Sequence, residues 1–146
     1  AAKEIRELFT ASPGMSMVGA ELSGIELRML AHYLGRYDGG RYADILIKDD
    51  IHQVNADKIG ISRRQVKTVT YAFSYGAGNL KLGLSYDNSI QPPKASKKGQ
   101  EIRKALVFAI DGLGDLLAAV SVKANNGWLL AIDGRRVLVD SPRKAL

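Results

Sequence analysis

SRRQVKTVTYAFSYG, the stretch of residues 62–76, has the pattern of a single helix. One helical turn takes about four residues, so cations and aromatic rings at that spacing lie along one ridge: Arg63, Lys67, Tyr71 and Tyr75. A second face carries apolar or small side chains at positions i, i+3, i+4 and i+7: Val66, Val69, Thr70 and Phe73. We predict that the second face packs on the core and leaves the ridge free to meet a ligand.

The start of this predicted helix favours an anion. Ser62 and Gln65 have the spacing of a capping box, and the positive end of the helix dipole lies beside Arg63 and Lys67. The aromatic rings further along could hold a flat ring or a sugar joined to that anion, so a nucleoside triphosphate fits the layout. The spacing alone leaves an alternative open, which is a solvated basic helix whose tyrosines belong to the core.

The composition describes one ordinary domain and excludes several classes of protein. The chain has 146 residues, 46% hydrophobic and 25% charged, which is enough for a globular domain with a core. A net charge of +6 suits a polyanionic partner. There is no cysteine for a disulfide or thiolate metal site, and no apolar run or signal peptide indicates a membrane or secreted protein. We expect an intracellular protein, in the cytoplasm or nucleoid of a host cell.

Short apolar segments and turn signals divide the first half of the chain. Residues 17–21 are mostly apolar and predict a strand that ends at Glu21, after which Ser23 and Gly24 precede a helical period that begins at Leu27. Residues 35–42 read as a loop. Further helices are predicted at residues 42–47, 51–58 and 63–73.

The second half is predicted to hold a loop, two helices and a hairpin. The Pro92-Pro93 pair and several polar residues predict an exposed, mobile loop at 88–100. Residues 101–124 have helical composition, with a break at 111–114 because glycine lowers helix stability by roughly 1 kcal/mol. Asp133-Gly134, between apolar runs at 128–132 and 136–139, predicts a β-hairpin. Nothing repeats as strand, helix, strand, so we predict an α+β fold.

A second motif lies upstream at residues 18–32, VGAELSGIELRMLAH. Together the two motifs resemble motifs A and B of the family A DNA polymerases, the phage T7-like branch in particular. The likeness continues in order through residues 37–40, 50–52, 75–78 and 133–137. It implies a partial polymerase palm with short antiparallel strands and a mainly helical fingers subdomain. Residues 1–48 would begin the palm, residues 49–124 would form the fingers, with the motif B helix at 62–75, and residues 125–146 would return to the palm.

The resemblance implies transfer of a nucleotidyl group from a deoxynucleoside triphosphate to a primer 3′-hydroxyl, assisted by Mg²⁺. Glu21 stands where the family has its first metal-binding aspartate, and the carbonyl of Leu22 would be a further ligand. Glutamate carries one extra methylene, which near-octahedral Mg²⁺ coordination must absorb. The alternative for Glu21 is a strand-end carboxylate that faces water.

Other site residues follow from the same resemblance. Arg63, Lys67 and His52 match residues that hold the triphosphate, and Lys67 is also expected to be catalytic. Tyr71 matches the residue that packs on the incoming sugar and base, whereas Glu26 and Tyr75 match a pair that crowds the sugar 2′ position. Three further residues are expected to contact DNA, each with a plain alternative as a helix stop or a solvated turn: Gly76, Arg135 and Arg136.

The resemblance also implies an incomplete catalytic site. The family places a second catalytic aspartate in a His-Asp-Glu tripeptide, which does not occur here. We therefore expect a fragment lacking motif C that is inactive alone and needs primer–template DNA and the remainder of a polymerase or a second polymerase chain. The alternative is a non-catalytic module that binds nucleic acid through basic residues: Lys94, Lys97, Lys98, Arg135 and Arg136.

Overall fold

The computed structural model describes residues 2–139, and within them it contains eight helices and one two-stranded antiparallel sheet. This content agrees with the predicted α+β class, weighted strongly towards helix. The helices are α1 Ala2–Arg6, α2 Ile25–Asp38, α3 Arg41–Lys48, α4 Ile51–Ile59, α5 Arg63–Ser74, α6 Asn79–Tyr86, α7 Pro92–Ala109 and α8 Leu113–Ala124. The strands are β1 Trp128–Leu130 and β2 Arg136–Leu138. Residues 140–146 of the predicted return to the palm lie outside the described residues.

Helix α5 confirms the prediction made from residues 62–76. The Ser62 side chain accepts a hydrogen bond from the backbone N–H of Gln65, and the Gln65 side chain accepts one from the backbone N–H of Ser62, so the capping box is complete. Val66, Val69 and Thr70 are buried, whereas Lys67 and Tyr75 are exposed. The helix therefore has the predicted packing face, and the ridge is exposed at Arg63, Lys67 and Tyr75 and half-buried at Tyr71.

Two hydrophobic clusters form the core, and Phe73 packs against both of them. The first joins α2, α3 and α4 to the turn between α7 and α8 through Leu27, Ala31, Leu34, Tyr42, Ile51, Ile110 and Leu113. The second joins α5, α6 and α7 through Val69, Leu82, Ile102 and Leu106. Because Phe73 lies on α5, that helix is held by both halves of the core.

Helices α6 and α7 approach each other so closely that glycine is required at the contact. A Cβ atom added to Gly83 would lie 1.9 Å from the carbonyl oxygen of Ala95, and one added to Gly99 would lie 1.8 Å from that of Asn79. These neighbours are backbone atoms, which cannot rotate away as a flexible side chain can. The two helices therefore pack backbone against backbone at this point.

The hairpin forms where it was predicted, with shorter strands. Trp128 pairs with Leu138, Leu129 with Val137 and Leu130 with Arg136. Gly134 occupies the turn with a φ of 83°, a conformation that favours glycine. The Arg136 guanidinium lies 4.5 Å from the centre of the Trp128 ring, as a cation–π pair.

Two predictions for the first half are wrong. Residues 17–21 do not form a strand, because a strand needs hydrogen-bonding partners and the sheet of the described chain consists only of β1 and β2. The predicted loop at 35–42 is only a two-glycine turn, since α2 continues to Asp38 and α3 begins at Arg41. The Asp38 carboxylate stabilises that turn by accepting hydrogen bonds from the backbone N–H groups of Gly40 and Tyr42.

The mobile loop predicted at 88–100 is wrong from residue 92 onward, because α7 begins at Pro92 and only residues 88–91 lie outside a helix. The two prolines occupy the first turn, where their missing N–H groups would have no helical partner anyway. The predicted break at 111–114 is confirmed, since α7 ends at Ala109 and α8 begins at Leu113. No single helix within residues 2–139 is long and apolar enough to cross a membrane. Helices α7 and α8 reach the necessary length and apolar composition only when taken together, and they are bent by 106° relative to each other.

Candidate functional site

A cleft of about 470 Å³ opens where the segment before α2, the turn between α3 and α4, and helix α5 meet. It brings together four of the predicted site residues, which come from three separate segments of the chain: Glu21, His52, Lys67 and Tyr71. The remaining lining residues are Ser23, Gly24, Leu27, Arg28, Leu46, Asp49, Asp50 and Ile51. Residues that lie up to fifty positions apart in sequence therefore line the same cleft.

Asp50 ties the start of α4 to the start of α5 at the rim of this cleft. Its Oδ1 atom accepts hydrogen bonds from the backbone N–H groups of His52 at 3.1 Å and Gln53 at 3.2 Å, so it is the N-cap of α4. Its Oδ2 atom accepts a hydrogen bond from Arg63 Nε at 2.6 Å, and the guanidinium holds the pKa of the carboxyl below its ordinary value. Arg63 is thus placed beside the cleft rather than in its lining.

Asp50 is not among the site residues predicted from the sequence. The available signal was an aspartate directly before the helix predicted at 51–58, which is the usual position of an N-cap. The same reasoning does not reveal the pairing with Arg63, because that contact depends on how α4 and α5 pack.

His52 is buried in the cleft wall beside Tyr71. Its side chain is 9% exposed, and its Nδ1 atom has no hydrogen-bond partner among the described residues. The centres of the His52 and Tyr71 rings are 6.0 Å apart. Burial lowers the pKa of His52 below its ordinary value, although the nearby Asp50 charge opposes that change. The imidazole is therefore neutral at pH 7 and can both donate and accept a hydrogen bond.

Lys67 and Tyr71 lie one turn apart on α5 and both line the cleft. Lys67 is exposed and makes no salt bridge within residues 2–139, so its ammonium group is available to an anion. Tyr71 is half-buried, and its ring centre lies 6.0 Å from that of His52. Arg28 also lines the cleft, and its Nε atom donates a hydrogen bond to the Ser23 carbonyl at 2.8 Å.

Glu26 and Tyr75 are joined by a hydrogen bond, although neither lines the cleft. The Tyr75 hydroxyl donates to Glu26 Oε1 at 2.6 Å, and 74% of the tyrosine remains exposed. This hydrogen bond lowers the pKa of Glu26 and raises the pKa of Tyr75. The structure therefore brings together the two residues that the sequence predicted as a pair.

The comparison with known proteins decides the family. A family model described as DNA polymerase family A matches residues 1–139. This chain belongs to DNA polymerase family A. It is 33% identical over 144 residues to the DNA-directed DNA polymerase of Escherichia phage T7, an alignment that covers 88% of this chain and 20% of the phage protein. The DNA polymerase of Mycobacterium phage L5 is 30% identical over 139 residues, with 95% of this chain and 22% of the phage protein covered.

These relatives confirm the resemblance to the phage T7-like branch of the family. The chain spans about a fifth of the length of these relatives.

The two residues predicted to bind metal in this family A chain are both exposed: Glu21, which lines the cleft, and Leu22, which does not. Within residues 2–139, no group of three or more His, Cys, Asp or Glu side chains is placed to hold a metal ion. Mg²⁺ takes oxygen ligands and is often bound by one or two carboxylates together with water and substrate phosphates. The Glu21 carboxylate is therefore a donor of the kind that Mg²⁺ binds, and most of the ion's other oxygen ligands would have to come from outside this cluster.

The DNA-contact residues predicted for this family A chain lie outside the cleft. Gly76 follows α5 with a φ of 73°, and two backbone hydrogen bonds, from Gly76 to Phe73 and from Ala77 to Ala72, complete a Schellman motif. Arg135 makes a 2.8 Å salt bridge with Asp133 in the hairpin turn. The helix-stop function of Gly76 is therefore explained locally, and its contact with DNA stays a prediction.

Proposed function

We propose that this chain is part of a DNA-directed DNA polymerase and that its cleft takes the incoming deoxynucleoside triphosphate during template-directed DNA replication. The observation that carries the proposal is the meeting of Lys67, His52 and Tyr71 with Glu21 in one cleft. The partners would be primer–template DNA and the remainder of the polymerase or a second polymerase chain, inside a host cell. Residues 1–48 and 125–146 would belong to the palm and residues 49–124 to the fingers.

The basic end of α5 would bind the triphosphate. Lys67 supplies an unpaired ammonium group, Arg63 stands at the rim, and neutral His52 can donate one hydrogen bond without adding charge. The first turn of α5 adds the positive end of the helix dipole. Tyr71, one turn beyond Lys67, would then pack on the sugar and base.

Sugar selection would fall to Glu26 and Tyr75. The hydrogen bond between them fixes the tyrosine hydroxyl, so the pair would present a rigid surface to the sugar 2′ position. A 2′-hydroxyl would meet that surface, which favours deoxynucleotides by steric exclusion. Gly76, Arg135 and Arg136 would contact DNA on the same proposal.

Mg²⁺ would be held by the Glu21 carboxylate and the Leu22 carbonyl, where it supplies neutralisation of phosphate charge and activation of the primer hydroxyl. Glu21 would orient that ion, while Lys67 would stabilise charge on the phosphates as a catalytic group. We propose that the isolated chain does not extend a primer, because two-metal chemistry needs carboxylates on both ions. Its activity would require the rest of a polymerase.

Isothermal titration calorimetry in Mg²⁺ with a deoxynucleoside triphosphate and the matching ribonucleotide tests the proposal. We expect tighter binding of the deoxy form and at least a tenfold loss of affinity in Lys67→Ala, because a hydrogen bond to a charged group is worth about 1.5–3 kcal/mol. Lys123→Ala removes an exposed lysine from the last turn of α8 and should bind as the wild type does. Equal losses in both variants would contradict the proposed site.

One observation favours the alternative of a non-catalytic nucleic-acid-binding module. Helix α7 carries five basic residues and one acidic residue, so it holds four of the chain's six net positive charges. Lys98 is engaged by Glu101 and the Tyr86 ring, but Lys94 and Lys97 make no salt bridge within the described chain. Binding to DNA that falls steeply with salt, together with no binding of either nucleotide, would support this module and overturn the proposed nucleotide site.

A further inference from the structure

One face of helix α7 carries an exposed phenylalanine beside several lysines. Phe108 is 90% exposed, which makes it the most exposed aromatic side chain within residues 2–139. It belongs to neither core cluster, and its ring makes no aromatic or cation–π contact within the described residues. Packing within the described chain therefore gives no reason for an aromatic ring at this position.

Three lysines of α7 share a face with this ring. An α-helix turns by about 100° per residue, so these lysines fall within about 40° of Phe108 around the helix axis: Lys94, Lys97 and Lys104. All three are exposed. At about 1.5 Å of rise per residue, the face runs about 21 Å from Lys94 to Phe108. We call the three lysines and Phe108 the α7 stripe.

The positive charge of the α7 stripe is free to meet an anion. None of its lysines makes a salt bridge within residues 2–139. Glu101 is the one acidic residue of α7, and its carboxylate lies 3.5 Å from the ammonium group of Lys98. The carboxylate that would repel an anion is therefore already paired, and the stripe itself carries only positive charge.

Spaced lysines and an exposed aromatic ring together match the chemistry of a single strand of nucleic acid. Ammonium groups bind the phosphates and release counterions. An aromatic side chain stacks on an unpaired base, whatever the sequence, because every base has a flat face. In a duplex those faces are stacked on one another, so a duplex would meet the lysines and leave Phe108 unused. An apolar protein surface would cover Phe108 and leave the lysines without anions.

We propose that the α7 stripe binds a single strand of DNA, with its lysines on the phosphates and Phe108 stacked on a base. We name DNA because the chain belongs to DNA polymerase family A. The surface is separate from the candidate nucleotide site, since no residue of α7 lines that cleft. It also differs from a module that binds through basic residues alone, because Phe108 makes the binding depend on unpaired bases.

The test is fluorescence anisotropy of the full chain with three fluorescein-labelled probes: an oligodeoxythymidylate, an abasic strand of the same length, and a duplex of that length. Phe108→Ala should lose about tenfold in affinity for the oligodeoxythymidylate, equivalent to about 1.4 kcal/mol, because one stacked base is lost. Its affinity for the abasic strand and the duplex should not change.

Phe9→Ala is the matched control, because it removes a phenylalanine that is 69% exposed and lies outside α7. It should change the affinity for none of the probes. Equal losses for all three probes in Phe108→Ala would overturn the inference, as would an unchanged affinity for the oligodeoxythymidylate.

Salt dependence tests the lysines of the stripe. Each phosphate contact to a single strand contributes about −0.7 to the slope of log affinity against log salt concentration. Lys104→Ala should therefore make that slope shallower by about 0.7, with the oligodeoxythymidylate and the abasic strand affected alike. Lys123→Ala removes an exposed lysine from α8 and should leave the slope unchanged. An unchanged slope in Lys104→Ala, or the same change in Lys123→Ala, would contradict the assignment of the lysines.

Binding on α7 and binding in the cleft are judged separately. If the wild-type chain binds a deoxynucleoside triphosphate but none of the three probes, this inference fails and the proposed nucleotide site stands. If it binds the oligodeoxythymidylate through Phe108 but does not bind the nucleotide, the inference stands and the nucleotide site fails.

Discussion

Replacing Gly99 with alanine should force helices α6 and α7 apart. The new Cβ would lie 1.8 Å from the carbonyl oxygen of Asn79 and 2.8 Å from the backbone nitrogen of Gly83. Both atoms belong to the backbone of α6, so no side-chain rotation relieves the contact. Cβ atoms essentially never come closer than 3.0 Å to such neighbours, and the helix must therefore move by about 1.2 Å, the difference between 3.0 and 1.8 Å.

The magnitude follows from what lies between the two helices. Leu82, Ile102 and Leu106 are buried at this interface, and gaps of 0.5–1 Å already forfeit about a quarter to a half of a van der Waals contact. Overpacking typically costs about 1–3 kcal/mol, and we expect the upper end here. Alanine returns about 1 kcal/mol through its higher helix propensity, which leaves a net loss of about 2 kcal/mol. For a chain of this size that lowers Tm by about 4–8 °C.

Thermal and urea unfolding followed by circular dichroism measure this loss. Gly35→Ala is the matched control, because Gly35 lies inside α2 and a Cβ there meets nothing within 4 Å. The same substitution should therefore stabilise the chain at this position, by up to about 1 kcal/mol. Gly99→Ala with wild-type stability, or an equal loss in Gly35→Ala, would refute the backbone contact between α6 and α7.

Three further predictions concern a helix cap, a contact between two helices and a dependence on pH. Ser62→Ala should lower the free energy of unfolding by about 1 kcal/mol in urea titrations, since it removes the side-chain half of the capping box with Gln65. Arg103→Met should lower the free energy of unfolding by about 1–3 kcal/mol in the same assay, because Arg103 donates hydrogen bonds to the Asn79 side chain and the Ala77 carbonyl. A loss below about 0.5 kcal/mol would contradict this prediction. The pKa of His52 is lower in the folded chain than in the unfolded chain, so the unfolded chain binds the proton first as the pH falls. The free energy of unfolding should therefore decrease as the pH drops below about 6.5. His52→Gln should reduce that decrease in urea titrations between about pH 7.5 and 5.5.

Local signals in the sequence were sufficient for α5 and for the hairpin. The capping box, the apolar period and the Asp133-Gly134 turn each act over a few residues, so neighbours in sequence determine the outcome. The start of α7 was mistaken because Pro92 and Pro93 interrupt the interior of a helix but are well tolerated in its first turn. Whether residues 92–100 are read as loop or helix depends on where the helix begins, and the apolar periodicity of the sequence does not determine that position.

The cleft was predicted only through the resemblance to the polymerase family. Glu21, His52, Lys67 and Tyr71 come from different parts of the chain, and their periodicity does not say that these parts meet. The burial of Tyr42 was missed for the same reason. Tyr42 is buried because α3 packs on α2, and no pattern within residues 41–48 distinguishes it from an exposed tyrosine.

The salt bridge between Arg63 and Asp50 bears directly on how the proposed site would load. Arg63 is held at 2.6 Å by Asp50, yet both side chains remain about half exposed, and ion pairs of this kind contribute little in water. A triphosphate carries more charge than one carboxylate and would compete for the guanidinium at little cost. Asp50 would keep its two backbone hydrogen bonds at the start of α4 during that exchange. If the cleft binds a triphosphate as proposed, Arg63 would therefore turn from the rim towards the phosphate while His52 stays in place.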